Sequence, residues 1–270
     1  MTLKNSKVLV TGADGFIGSH LAEALVESGA QVTALALYNS FDSHGWLDEA
    51  APRVRKAMRL VRGDVRDPHQ MAELCKGHDV IFHLAALIAI PYSYEAPSSY
   101  VQTNVLGTIN VLKGALAAGN ARVVATSTSE VYGTALFTPI TEEHPLQGQS
   151  PYSASKIGAD MMASAFARSF QLPVVTLRPF NTYGPRQSER AVISTVVRQM
   201  LDGRCDSLKL GDLSPARDFN YVGDTVEAFI RASGLCESHS GQVFNAGSGR
   251  MVTIADMVEM AREIAGCDKP

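Results

Sequence analysis

Two short stretches of this 270-residue chain carry side chains able to move protons at neutral pH. In the first, Tyr152-Ser-Ala-Ser-Lys156, a phenol and an ammonium stand four residues apart at the start of a helical pattern and so share one helix face. A free phenol, with a pKa of about 10, is a poor base at pH 7. A cation at ~4 Å contributes about 4 kcal/mol at an effective dielectric of 20, equivalent to roughly three pKa units before desolvation is counted. A phenol poised near 7 could accept the proton of a hydroxyl while hydride leaves the same carbon. The second stretch, Thr126-Ser-Thr128-Ser129-Glu130-Val-Tyr-Gly133, follows an apolar run. Thr128 could share the hydroxyl proton with Tyr152, and Glu130 offers a carboxylate as a second general base. A Y-x-x-x-K on a solvated helix, or an acid in a surface loop, is ordinary when met alone. Both acquire meaning only if a fold brings them together.

Such a fold is visible in the pattern. Short β-branched runs at 8–10, 31–37, 58–61, 80–83, 122–126 and 174–177 alternate with helical patterns at 16–29, 71–76, 98–118 and 152–170. Strands alternating with helices predict βαβ units and an α/β fold, a doubly wound parallel sheet with helices on both faces. Loops at the carboxyl ends of parallel strands line the ligand crevice, which is where residues 126–133 fall. After Pro179 the pattern loosens into short strands and three helical stretches, with no Gly/Ser linker. This predicts a larger unit over 1–178 and a smaller, partly interleaved C-terminal part over 179–270.

Gly12-Ala-Asp14-Gly15-Phe16-Ile17-Gly18 joins the first strand to the first helix. Glycines there permit a tight turn and let backbone N–H groups approach a pyrophosphate, which the positive helix end also favours. The position predicts a dinucleotide site. The second strand ends Leu35-Ala-Leu-Tyr-Asn39-Ser40, without the acid that commonly holds a ribose, and no Lys or Arg lies between 31 and 52. A ribose hydroxyl bound by Asn39 or Ser40 is easier to hold than an unpaired dianionic phosphate, so NAD is favoured and NADP stays open. Asp64 and Val65, after the third strand, are placed beside the adenine.

Composition removes other classes. A formal net charge of −3, without a dense basic run, gives no footprint for nucleic acid or an anionic membrane. Cys75, Cys205, Cys236 and Cys267 lie far apart with no C-x-x-C, and the seven histidines show no paired spacing, so neither disulfide framework nor metal site is predicted. The longest apolar stretch, 80–90, is interrupted by His83 and too short to span a bilayer. A soluble cytoplasmic protein is the expectation.

Five motifs in order, TGADGFIGSH (11–20), HLAA (83–86), YSASK (152–156), RPFNTYGPRQ (178–187) and RDFNYVGD (217–224), resemble the extended short-chain dehydrogenase/reductase family of NAD-dependent epimerases and dehydratases. The resemblance covers essentially the whole chain. It implies a Rossmann-type fold, a cofactor lined also by Leu84, Ala85 and Ala86, and a nucleotide-sugar substrate. STSEVYG, PYSY and GQSPYSASK look most like the nucleotide-sugar 4,6-dehydratases, the nearest subgroup acting on an N-acetylglucosamine nucleotide as in routes to legionaminic acid. There, carbon 4 is oxidised, Glu130 would take the carbon-5 proton, and the carbon-6 hydroxyl is expelled. These dehydratases often carry Asp-Glu where this chain has Ser129-Glu130, and a serine hydroxyl is a far weaker acid. Nucleotide-glucuronate decarboxylases and 4-epimerases are the alternatives within the family, and a cofactor-binding sensor without turnover is the alternative outside it. On the substrate side the resemblance marks Tyr92, Asn181, Arg186 and Arg217. It also implies a homodimer through helices 98–118 and 152–170, and chains that usually continue past the last helix here, leaving the 179–270 part short.

Overall fold

The computed structural model describes residues 3–270. The chain enters a βα alternation at once: β1 (Lys7–Thr11), α1 (Phe16–Glu27), β2 (Gln31–Leu37), α2 (Pro52–Lys56), β3 (Arg59–Gly63), α3 (Pro68–Leu74) and β4 (Val80–His83). Two short helices, α4 (Ile90–Glu95) and α5 (Pro97–Tyr100), lead through a six-residue π-helical segment, Val101–Leu106, into α6 (Gly107–Ala117). Then follow β5 (Arg122–Thr126), α7 (Pro151–Phe170) and β6 (Val174–Pro179). Seven strands form one parallel sheet when β9 (Val243–Ala246) pairs with β6, in the order β3-β2-β1-β4-β5-β6-β9. This is the predicted doubly wound architecture, and β9 supplies the expected interleaving.

The alternation of side chains along each strand builds the two apolar layers. Val8 and Val10 of β1, with Phe82 and Val124, pack under Leu21 and Leu25 of α1 and under Val226 and Phe229 of α9 (Val222–Ser233). Leu9, Ile81 and Val123 face the opposite way, onto Met71, Val111, Leu112 and Phe166. Because both faces are covered, the strands read as nearly unbroken hydrophobic runs. A separate three-stranded sheet joins β7 (Asn181–Tyr183), β8 (Ala216–Tyr221) and β10 (Met251–Thr253). It packs with α8 (Val192–Leu201) and α10 (Ile254–Ala265) around Val196, Met200, Ile254, Met257 and Val258.

Three boundaries differ from the sequence pattern. β3 runs to Gly63 because its backbone stays paired with β2 up to Leu37, although Arg59 and Arg62 break the apolar run. α3 starts at Pro68, where the Asp67 side chain accepts from the N–H groups of His69 and Gln70 and caps the helix. The single helix predicted over 98–118 is interrupted by the π segment, whose Asn104 turns inward to bond the loop after β4.

Candidate active site

β1 lies between β2 and β4, so the chain leaves it at the point where strand order reverses, the crevice that binds ligands in open α/β sheets. The glycine turn fills this point closely. Gly12 has φ +67°, and a Cβ there would lie 2.7 Å from the Ala85 nitrogen; at Gly18 it would lie 2.1 Å from the Gly12 carbonyl oxygen. The backbone of the turn is therefore in contact with Leu84 and Ala85, as the two motifs together require. α1 opens at Gly15 with no side-chain cap and no acid in its first turn. Its first N–H groups and its positive dipole end are thus available to an anion, and this fits a dinucleotide pyrophosphate.

The sequence-marked ribose and adenine residues are occupied within the protein to different degrees. Asp14 accepts the Leu37 N–H at 3.2 Å, and burial holds its carboxyl above the usual range. Asn39, expected to bind the ribose, instead spends both amide donors and its oxygen on folding the loop after β2, while Ser40 is exposed beside it. Asp64 is bound by the Arg66 guanidinium, which holds its carboxyl below the usual range. Val65 is buried, and its carbonyl accepts from Asn110.

α7 starts on a capping box in which Ser150 and Ser153 exchange hydrogen bonds, with Pro151 in the first turn. This fixes Tyr152 and Lys156 against the end of β5. The Thr128 hydroxyl is hydrogen-bonded to the Tyr152 phenol and also accepts the Glu130 N–H at 3.2 Å, starting a 3-10 turn over Ser129–Tyr132. Ser129 is half-buried in that turn and Glu130 is exposed to the crevice. Tyr152 and Lys156 are both buried.

The titration of the pair departs from the sequence expectation of a phenol near 7. Burial pushes the Tyr152 phenol up to about 12, with Glu130, Asp160 and Tyr100 adding to the effect and only the Thr128 hydrogen bond opposing it. Burial also lowers Lys156 to about 8. The reason is geometric as well as dielectric. The Lys156 ammonium donates to the Thr126 carbonyl, so in this state desolvation outweighs cationic stabilisation of the phenolate.

A third group on the same helix stripe, Asp160, was not marked by sequence. Its carboxylate accepts from Ser127 at 2.8 Å and from the Arg178 Nε at 3.0 Å. Arg178 also donates to the Tyr132 phenol, which donates to Asn245 of β9. The signal was available: 152, 156 and 160 are successive i, i+4 positions, and an acid there points where the catalytic side chains point. His83 forms a second buried link. The Thr11 hydroxyl already accepts from Leu84 and Ala85 N–H groups, so its own proton goes to His83 Nδ1 at 2.8 Å. His83 Nε2 then donates to Thr108, and Thr108 donates to the Asn104 carbonyl. The Asn104 amide holds Leu87 and the Ser155 hydroxyl, beside Lys156. Burial lowers His83 to about 3, so it is neutral.

On the substrate side the marked residues are not gathered at one point. Tyr92 is half exposed and leads through Tyr100 to Tyr152 by ring contacts of 6.2 and 6.3 Å. The Asn181 amide lies 3.4 Å from the Asp218 carbonyl, and Arg217 is exposed and donates to its neighbour's carbonyl, Ala216. Arg186, at φ +70°, turns back onto α1, where it donates to Ser19 and pairs with Glu23 at 2.8 Å. In this placement its guanidinium clasps the substrate part to the cofactor turn and is not open to a diphosphate.

A dinucleotide cradle at the strand-order reversal, with a Tyr-Lys pair and a Thr-Ser-Glu turn over it, defines the short-chain dehydrogenase/reductase class. The chain belongs to its epimerase/dehydratase family: the family model described as GDP-mannose 4,6 dehydratase matches residues 9–269. It is 34% identical over 267 residues to a dTDP-glucose 4,6-dehydratase of an Actinoplanes species, covering 96% of this chain and 82% of that one. Other curated relatives are UDP-glucose 4-epimerases and a UDP-N-acetyl-alpha-D-glucosaminuronate decarboxylase. Among solved structures, a UDP-N-acetylglucosamine 4-epimerase from Methanobrevibacter ruminantium superposes with a TM-score of 0.89 at 30% identity, covering 98% and 84% of the two chains. A double mutant of DesIV, a dTDP-glucose 4,6-dehydratase from Streptomyces venezuelae solved with NAD bound, gives 0.84 at 34% identity, with 97% and 82% covered. No helix among the described residues is long and apolar enough to cross a membrane.

Proposed function

We propose that this chain is an NAD-dependent nucleotide-sugar 4,6-dehydratase acting on a uridine or guanosine diphosphate derivative of N-acetylglucosamine. The observation that carries this reading is Glu130, open to the crevice and near enough for its charge to act on the Tyr152 phenol. Hydride chemistry at carbon 4 alone, as in an epimerase, has no use for a second carboxylate base there, whereas removal of the carbon-5 proton requires one.

NAD, when bound, supplies the reversible hydride store, taking from carbon 4 and returning to carbon 6. Gly12, Asp14, Gly15, Phe16, Ile17 and Gly18 hold its pyrophosphate side, Ser40 the ribose, Asp64 and Val65 the adenine, and Leu84, Ala85 and Ala86 the nicotinamide side. Asn39, its amide fully used within the loop after β2, acts by shaping that loop. Tyr152 works as its phenolate, which the Lys156 ammonium stabilises against the burial that favours the phenol, and it becomes the phenol as it takes the carbon-4 hydroxyl proton beside Thr128. The carbon-4 ketone acidifies carbon 5, Glu130 removes that proton, and the protonated Glu130 returns it to the departing carbon-6 hydroxyl, so that water leaves. Ser129, whose hydroxyl is too weak an acid for that step, orients the hydroxyl. As hydride returns to carbon 6, carbon 5 takes a proton that balances the one Tyr152 accepted and then releases. Tyr92, Asn181 and Arg217 line the sugar diphosphate. Residues 1–178 form the dinucleotide-binding part and 179–270 the substrate part. Exposed Val101, Leu106, Met161 and Met162, on the π segment and α7, support a homodimer, and a cytoplasmic setting completes the proposal.

Ser129 also suits a nucleotide-glucuronate decarboxylase, because a β-keto acid loses carbon dioxide without an acid at carbon 6. Incubation with nucleotide sugars, followed by mass spectrometry and proton NMR, separates these. Dehydration gives loss of one water and a new carbon-6 methyl signal with no net NADH. Carbon dioxide from a glucuronate nucleotide, or inversion at carbon 4 alone, would replace the dehydratase reading; dinucleotide binding with no altered sugar would leave a sensor.

A further inference from the structure

The adenosine end of the crevice contains a set of charges that the proposed reaction leaves unused, and the role assigned to them here rests on the NAD reading. β2 ends without an acid, and the loop after it is folded by Asn39. The Asn39 amide oxygen accepts from Phe41 and Ser43 at 3.0 and 3.3 Å, and its nitrogen donates to the carbonyls of Leu37 and Ser43. This sets Asp42 at φ +59°, a left-handed conformation that aspartate tolerates, and turns its carboxylate onto the guanidinium of Arg62. Arg62 comes from the neighbouring strand β3, opposite Ala36 in the register. Its Nε donates to His44 Nε2 at 3.2 Å, which leaves the His44 proton on Nδ1, on the Asp48 side.

The same loop rests on the glycine turn. The Trp46 N–H donates to the Asp14 carbonyl at 3.1 Å, and a Cβ at Gly45 would lie 2.5 Å from that oxygen. The carboxyl ends of β1, β2 and β3 are thereby tied together through Asp14, Asp42 and Arg62. Around this end the arginines are matched to acids: Arg55 to Asp48, Arg62 to Asp42 and Arg66 to Asp64.

A ribose hydroxyl needs only an acceptor, whereas a 2′-phosphate is a dianion that needs a cation with an open fork. We infer that the Asp42–Arg62 pair determines cofactor specificity: Asp42 occupies the guanidinium that would hold a 2′-phosphate, adds a negative charge of its own, and so selects NAD against NADP. The stretch 31–52 holds no such cation of its own, because the residue that counts arrives from β3. The Asp42 side chain is 83% exposed, so the pair contributes little to folding, and its removal tests selectivity without unfolding the protein.

Trp46 is the single tryptophan of the chain and lies on the glycine turn, so its fluorescence, with calorimetry alongside, reports dinucleotide binding directly. Titrations with NAD and NADP are run at low salt, where surface charges are least screened. The wild type binds NAD about tenfold or more tighter than NADP; Asp42→Asn tightens NADP about tenfold with NAD changed less than about twofold, and adding Arg62→Gln removes the gain. Equal wild-type affinities, or an NADP/NAD ratio unmoved by Asp42→Asn, would overturn the inference. Binding of neither dinucleotide would instead overturn the NAD reading beneath it, and unchanged thermal melts show that each variant is folded.

Discussion

Asp160 and Arg178 form a buried ion pair at 3.0 Å, one helical turn beyond Lys156 on the stripe that begins at Tyr152. Arg178 opens the RPFNTYGPRQ motif that also carries the substrate-side candidates Asn181 and Arg186, yet its guanidinium is enclosed between α7, β6 and the ring of Tyr132, 4.9 Å from the ring centre. The pair therefore acts on substrate only through what it positions. Removing one partner of such a pair leaves a buried charge uncompensated, which costs about 3–5 kcal/mol. Asp160→Asn is expected to lower the urea midpoint accordingly. Because Asp160 raises the Lys156 pKa against its desolvation, the variant's activity should also lose its alkaline limb at lower pH than wild type, with Asp160→Glu restoring part of the shift. A stability loss with an unmoved pH profile would reduce Asp160 to a structural role.

Glu130 is the residue on which the proposed reaction turns. Its side chain is exposed and its N–H, not its carboxylate, makes the local hydrogen bond, so Glu130→Gln is expected to fold as wild type. Dinucleotide binding should be unchanged, and elimination should fall by about 10²–10⁴-fold, the usual contribution of a general base. The 4-keto sugar should then accumulate with one equivalent of reduced cofactor, visible at 340 nm in a single turnover. Full dehydration by the variant would remove Glu130 from the mechanism.

Most of the sheet was legible because both its faces are covered: Val8 to Val10, Val80 to Phe82 and Val123 to Val124 are continuous apolar runs, and the glycine turn marks where they begin. Local chemistry was legible where it depends on i, i+4 spacing, as with Tyr152 and Lys156. What spacing cannot carry is the dielectric of the finished site. The ammonium was expected to lower the phenol, but both groups are enclosed and the ammonium is spent on the Thr126 carbonyl. Long-range matches were equally hidden. Arg62 reaches Asp42 across a strand pair, Arg178 reaches Asp160 from another element, and Arg186 crosses to Glu23, 163 positions earlier in the chain. Each arginine reads in the sequence as a free cation.

His83 should govern part of the acid limb of stability. Its folded pKa of about 3 lies below its ordinary 6.5, so between these values the unfolded chain binds the extra proton. Stability from this group is complete above pH 6.5 and is lost as pH falls toward 3, with a slope of at most about 1.4 kcal/mol per pH unit. His83→Gln keeps a donor and an acceptor for Thr11 and Thr108 but cannot titrate. It is expected to cost about 1–3 kcal/mol at pH 7 and to lose less stability than wild type between pH 7 and 4.5, measured by urea unfolding at both. Parallel losses in the two proteins would mean that His83 is not the titrating group.

Gly18 sets two effects of opposite sign against each other. It lies within α1, where replacing glycine by alanine stabilises a helix by about 1 kcal/mol. A Cβ at this position would stand 2.1 Å from the Gly12 carbonyl oxygen and 3.0 Å from the Ala13 Cα. Neither neighbour is the flexible end of a side chain, so the turn itself must move, and overpacking of this kind costs about 1–3 kcal/mol or more. Gly18→Ala should therefore destabilise despite the better helix former, and it should weaken NAD binding because the displaced N–H groups are those proposed to face the pyrophosphate. Gly77→Ala is the control: it has φ +72° with no atom within 4 Å of the added Cβ, so it carries backbone strain without a clash. It is expected to lose a comparable or smaller amount of stability while binding NAD as wild type does. Thermal melts and calorimetric titration of the two variants separate strain from obstruction of the turn, and a Gly18→Ala protein that melts higher than wild type would show that the turn yields at no cost.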